Sequence, residues 1–128
     1  MASLIGYYSL ILGFCLSFVI IFFSIKNFQN SYSFDTKIIS FTFLQCFFVF
    51  VSFFGLIISF VNSDFSNETV FNHSHSTKPL FYKISGTWGN HEGSLLLWLL
   101  VLTLFVFLFL LRTKNQTKQY RILTLLFQ

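Results

Sequence analysis

With 128 residues, 55% of them hydrophobic, 9% charged and 21 of them phenylalanine, the chain carries too little polar surface to cover its apolar mass as a soluble monomer. A mean hydropathy of +0.73 points to an integral membrane protein and excludes an ordinary water-soluble domain. The formal net charge of +4 then reports orientation in a bilayer rather than affinity for nucleic acid, and no nucleic-acid partner is expected.

Leu4 to Ile25 is an uncharged run of 22 residues. As a helix it measures about 33 Å at about 1.5 Å per residue, enough for a hydrocarbon core about 30 Å thick. It lacks the basic stretch and shorter apolar core of a cleaved secretory signal, so it is expected to be retained as a first span. Asn27 to Asp35 is polar and turn-rich and is bracketed by Lys26 and Lys37. Ile38 to Val61 is a second uncharged run, of 24 residues, interrupted mainly by Gln45. Unpaired in hydrocarbon that amide would cost on the order of several kcal/mol, so it should bond a neighbouring helix or its own backbone.

From Asn62 to Asn90 the composition turns polar, with Asp64, Glu68, His73, His75, Lys78 and the single proline, Pro79. The expectation is a water-facing loop of about thirty residues, partly disordered around Asn67 to Thr77 until a partner binds. Gly93 to Leu111 forms a third span of nineteen residues, closed by Arg112, Lys114, Lys118 and Arg121. Ile122 to Gln128 is apolar again, but seven residues rise only about 10 Å and cannot cross a membrane. That segment is either an interfacial tail or the start of a fourth helix.

The expected fold class is therefore an all-α integral membrane protein with three transmembrane helices. Its expected divisions are 1–61 for the first two helices, 62–92 for the loop, 93–111 for the third helix and 112–128 for a basic segment. Six basic residues follow spans one and three, against Lys78 and Lys83 alone in the loop. That asymmetry favours an N-out/C-in topology with the loop on the outer face.

Chemistry-bearing motifs are few. Cys15 and Cys46 lie inside apolar runs, with no CxxC pair, and are expected to be packing residues. His91 and Glu92 begin an HExxH-like pattern, but Leu95 stands at its second histidine position, so a zinc protease is excluded. His73 and His75 flank Ser74 without a third ligand, and no metal site or catalytic residue is assigned. Asn67-Glu68-Thr69, Asn72-His73-Ser74 and Asn115-Gln116-Thr117 match the glycosylation sequon, a pattern too short to carry weight. No ionisable side chain apart from the thiols lies deep in a span, which argues against ion pumping by this chain.

The densest stretch runs from Lys78 to Trp98, where both tryptophans, three glycines and the His-Glu pair meet. If helix geometry extended back through it, Gly86, Gly89 and Gly93 would share one face, suited to close helix approach. Trp88, His91, Leu95 and Trp98 would form the opposite face, a rim for a planar ligand or a partner chain. The alternative is an interfacial aromatic belt with a Gly-rich turn.

Three blocks occur in order: Asn62-Ser63-Asp64-Phe65-Ser66, then Pro79-Leu80-Phe81-Tyr82-Lys83-Ile84, then Trp88-Gly89-Asn90-His91-Glu92-Gly93-Ser94-Leu95-Leu96-Leu97-Trp98. In these the chain resembles the amino-terminal part of the CcmF family, the haem lyase component of the multi-protein (System I) cytochrome c maturation pathway. The last block, WGxHEGSxLLW, is the family's hallmark for this region.

The resemblance implies a subunit or fragment assisting covalent attachment of haem to CxxCH apocytochromes c, unable to catalyse this alone. It implies partnership with the remaining CcmF portion, other maturation proteins, a haem chaperone and apocytochrome c. Trp88, Gly89, His91, Glu92, Gly93, Ser94 and Trp98 carry over as a family motif and candidate haem or partner contacts. Haem is the implied cofactor of the full assembly, with its ligands outside this chain. A split mitochondrial form in the inner membrane is suggested by Phe, Ile, Asn, Lys and Tyr abundance, all served by A/T-rich codons; a prokaryotic source would place it in the bacterial inner membrane. The competing function is a small structural subunit of a respiratory complex, and a weaker one is a haem-binding or transport protein in its own right.

Overall fold

The computed structural model of the chain describes residues 2–29, 35–113 and 118–126, and all regular structure among them is helical. The helices are α1 (Ala2–Gln29), α2 (Asp35–Val61), α3 (Glu68–His73), α4 (Leu80–Gly86), α5 (His91–Arg112) and α6 (Lys118–Leu126). Three of them, over Ser3–Lys26, Lys37–Val61 and His91–Arg112, are long and apolar enough to cross a membrane. The chain is accordingly an integral membrane protein. The expected turn lies partly outside the described residues, as do Lys114, the Asn115 sequon and the side chains of Lys118 and Arg121. Within the described part, α1 runs on to Gln29 and α2 starts at Asp35, which narrows the expected turn.

α2 is the central helix. It packs antiparallel to α1, with Gly6 against Ser52 and Gly55, Gly13 against Gln45 and Val49, and Ile20 in one buried cluster with Ile38. Small residues let the two backbones approach where the lipid gives no hydrophobic drive to associate. Ser9, Thr42 and Ser59 are buried at this level and return their hydroxyls to carbonyls of their own helices, at 2.8, 2.9 and 2.9 Å. Gln45 is likewise buried. On its other flank α2 meets α5, where Phe43 packs against Phe107 with centroids 5.4 Å apart. Cys46 lines that flank half-buried, whereas Cys15 is exposed on α1, so only Cys46 matches the expected packing role.

The third long helix begins at His91 rather than Gly93, because Asn90 caps it and brings two polar residues into its first turn. The stretch from Asn67 to Thr77, where partial disorder is expected, contains α3, whose N-cap Asn67 accepts a hydrogen bond from the Thr69 N–H at 3.0 Å. Val70 is fully buried and anchors it. At the other end of the molecule α6 packs on α1 and α5, burying Ile122 and Leu125 with Ile20, Ile38 and Leu110.

Candidate functional site

Residues 79–94 form a corner between α4 and α5. The Pro79 carbonyl accepts from the N–H groups of Tyr82 and Lys83 and starts α4. α4 rests on α2: Gly86 approaches the fully buried Phe60 ring, where an added Cβ would lie 3.5 Å from it, and Lys83 Nζ donates to Ser63 Oγ at 2.6 Å. Ser63 itself ends α2 in the left-handed region, at φ 52°. There its N–H reaches the Phe60 carbonyl and the Asp64 N–H the Ser59 carbonyl, the closing pattern of a Schellman cap. Asp64 accepts from the Ser66 hydroxyl and N–H and from Ser3 Oγ. The Ser66 hydroxyl above all holds its carboxyl below the usual 3.8, against a smaller upward push from desolvation.

Asn90 turns the chain. Its Oδ1 accepts from the Gly93 N–H at 2.6 Å, capping α5, while its Nδ2 donates back to the Gly86 carbonyl at 2.9 Å. A single buried amide thus satisfies the end of one helix and the start of the next. Gly93 is the most tightly confined of the glycines at this corner: a Cβ built there would stand 1.6 Å from the Thr87 carbonyl oxygen. Ser94 Oγ donates to the His91 carbonyl at 2.9 Å. The shared face expected for Gly86, Gly89 and Gly93 is therefore not formed. The turn at Thr87 to Asn90 interrupts the helix, and the three glycines meet different neighbours: Gly86 the Phe60 ring, Gly89 the Ser85 carbonyl and Gly93 the Thr87 carbonyl.

The motif side chains diverge from this corner. His91, Leu95 and Trp98 occupy one exposed stripe of α5, with Trp98 70% exposed, and Trp88 stands exposed in the turn. Glu92 faces elsewhere, into a cleft between α1 and α5 whose floor is α2. Its mouth, of about 250 Å³, is lined by Ser3, Tyr7, Asn67, Thr69, Glu92 and Leu96, among others. A second chamber of about 480 Å³ continues from Leu10 to Ser17, Gln45, Leu102 and Thr103. The cleft closes at α6, where Leu125 meets Ser17, Ile20 and Ile21. No imidazole or thiol lines the mouth or the chamber, and no group of three or more potential metal ligands forms among the described residues.

The cleft and Asn90's role were not anticipated. Asn90 with the acidic Glu92 two residues on is a legible helix-start signal. For the α1–α2 packing that floors the cleft, the available signal is the period of small residues on α1, at 6, 9, 13 and 17, which marks a face that approaches another helix.

The chain is similar to the cytochrome c-type biogenesis protein ccl1 of Rhodobacter capsulatus, 39% identical over 101 residues, which is 78% of this chain and 16% of that protein. Cytochrome c-type biogenesis protein CycK of Bradyrhizobium diazoefficiens is 59% identical over 61 residues, 48% of the chain and 9% of the relative. Cytochrome c-type biogenesis protein CcmF of Haemophilus influenzae is 40% identical over 65 residues, 51% and 10%. A match over 78% of 128 residues includes the corner wherever it begins. The resemblance seen in the motifs thus holds over part of the chain, consistent with the amino-terminal part of the CcmF family. The chain spans only 9 to 16% of the length of these relatives. No family model matches it, and no solved structure does.

Proposed function

We propose that this chain is the amino-terminal part or subunit of a CcmF-type haem lyase, acting in covalent attachment of haem to apocytochromes c. The observation that carries the reading is the similarity to ccl1 across a stretch that must contain the α4–α5 corner. The corner is a rigid platform: Asn90 and Gly93 fix its backbone, and Trp88, His91 and Trp98 project from it. An N-out/C-in orientation places this end on the periplasmic side, or in the intermembrane space if the membrane is mitochondrial. The haem chaperone, apocytochrome and remaining CcmF sequence are the partners this reading assigns.

Haem chemistry needs ligands that face one another across a site. The cleft presents none, and His73, His75 and His91 stand exposed. The resemblance, rather than the exposure of these side chains, assigns axial ligation to the rest of the assembly and leaves scaffold and docking to this chain.

The test is deletion of the chain followed by a haem stain of c-type cytochromes. Loss of haem-stained cytochromes, restored by returning the chain, is expected; unchanged haemylation would overturn the reading. Replacing Trp98 with alanine should lower matured cytochrome without lowering the amount of the chain in the membrane, since its ring is exposed and its removal opens no cavity.

A further inference from the structure

We propose that the cleft between α1 and α5 is the seat of a further membrane-embedded helix, supplied by the CcmF-type sequence that this chain does not cover and lying end to end with α6. The inference rests on the family reading for the source of the helix. The geometry supplies the seat.

α6 shows how a helix enters. It follows the basic end of α5 and turns back alongside α1, so that Leu125 reaches the level of Ser17 and Ile21, well inside the span. From Leu125 toward Ser3 the cleft stays open. From Ser17 to Ser3 the cleft follows fourteen residues of α1, about 21 Å of helix. A helical segment of about fourteen residues fits that length.

The walls suit an apolar helix. Ser17 and Thr103 donate to the Phe14 and Leu100 carbonyls of their own helices, at 2.6 and 3.0 Å. The chamber therefore offers shape and apolar surface, with Leu10, Ile11, Phe14, Leu99 and Leu102 as its sides. Packing of this kind drives helix association in lipid. Relatives of which this chain spans at most 16% have ample sequence to furnish such a helix.

The test places a photo-crosslinking amino acid at Phe14 or Leu102 in the cleft, and at Phe47 or Leu108 on the α2–α5 flank as controls. The full chain is co-produced with a polypeptide carrying the remaining CcmF-type sequence. The expected result is a crosslink from both cleft positions to one apolar segment of that polypeptide, absent from the controls and lost when Ser17→Phe fills the chamber. Crosslinks from the cleft to lipid, to a second copy of the chain, or equally from the controls would overturn the proposal. Cytochrome c maturation measured in the same cells separates the two ideas. Restored maturation without the cleft crosslink sinks the seat alone, and the crosslink without maturation sinks the haem lyase reading alone.

Discussion

The α4–α5 corner and the α1–α2 seam both depend on glycine at a point of close approach, yet they present it with different neighbours. At the corner Gly93 meets a backbone carbonyl at a distance no Cβ can occupy. In the seam a Cβ on Gly13 would meet the Val49 methyl at 3.4 Å, and one on Gly6 the Ser52 carbonyl at 3.3 Å. A side-chain methyl can rotate or shift by a few tenths of an ångström, but a carbonyl held in a turn moves only with the chain around it. The corner is thus a fixed fitting, while the seam tolerates adjustment at Gly13 and less of it at Gly6.

Gly93→Ala should break this comparison open with the largest effect. To admit the methyl, Thr87 must move by more than an ångström, which pulls Asn90 off both helices it bridges. A loss of about 3 kcal/mol or more is expected, the sum of a lost cap and a displaced carbonyl. Thermal unfolding in mild detergent would show it as a large fall in Tm. A Gly93→Ala protein as stable as the parent would mean that the corner is far more yielding than its geometry.

Asn90→Ala comes next, with about 1–2 kcal/mol expected for the cap and the link to Gly86. Asn90→Asp separates the two halves. It keeps the acceptor for the Gly93 N–H and loses the donor to Gly86, so it should recover part of the loss. If aspartate and alanine are equally damaging, the capping half contributes little.

In the seam, Gly13→Ala gains about 1 kcal/mol of helix propensity against mild crowding and should be neutral or slightly stabilising. Gly6→Ala has the same gain but presses on a carbonyl, so it should fall below Gly13→Ala by about 1 kcal/mol. Equal values for the two in the same unfolding assay would remove the distinction between methyl and carbonyl neighbours.

The spans were legible because an uncharged apolar run of bilayer length suits little besides a membrane crossing. Their packing was not: each span is apolar nearly all round, so hydropathy gives no face to the protein and no face to the lipid. Only the small residues mark the seam, and Gly6, Ser9 and Gly13 become informative once α2 is known to be the neighbour. The corner failed in the opposite direction. Gly86, Gly89 and Gly93 have helical spacing, but Asn90 between them prefers to cap, and that local preference overrides the period. α3 and α4 are too short to show a period of their own and depend on Asn67, Pro79 and the anchors Val70 and Phe60.

The smallest effect expected lies where α2 hands the chain to α3. Asp64 is an exposed carboxylate held below 3.8 by hydrogen bonds from Ser66, with Ser3 adding a longer one at 3.5 Å. A carboxyl whose folded value is depressed stabilises the fold above its unfolded value and loses that contribution as pH falls through the folded one. The turn should therefore be indifferent to pH from neutrality down to about 4 and loosen only below it. Exchange protection of the Ser66 amide, followed against pH, reads this directly. Asp64→Asn should flatten the acid limb and leave the neutral plateau nearly where it was. Protection already lost near pH 6 would show that the Ser66 bonds do not hold the carboxylate. The turn would then depend on Ser63 and its bond from Lys83, making it an extension of the corner rather than a separate cap.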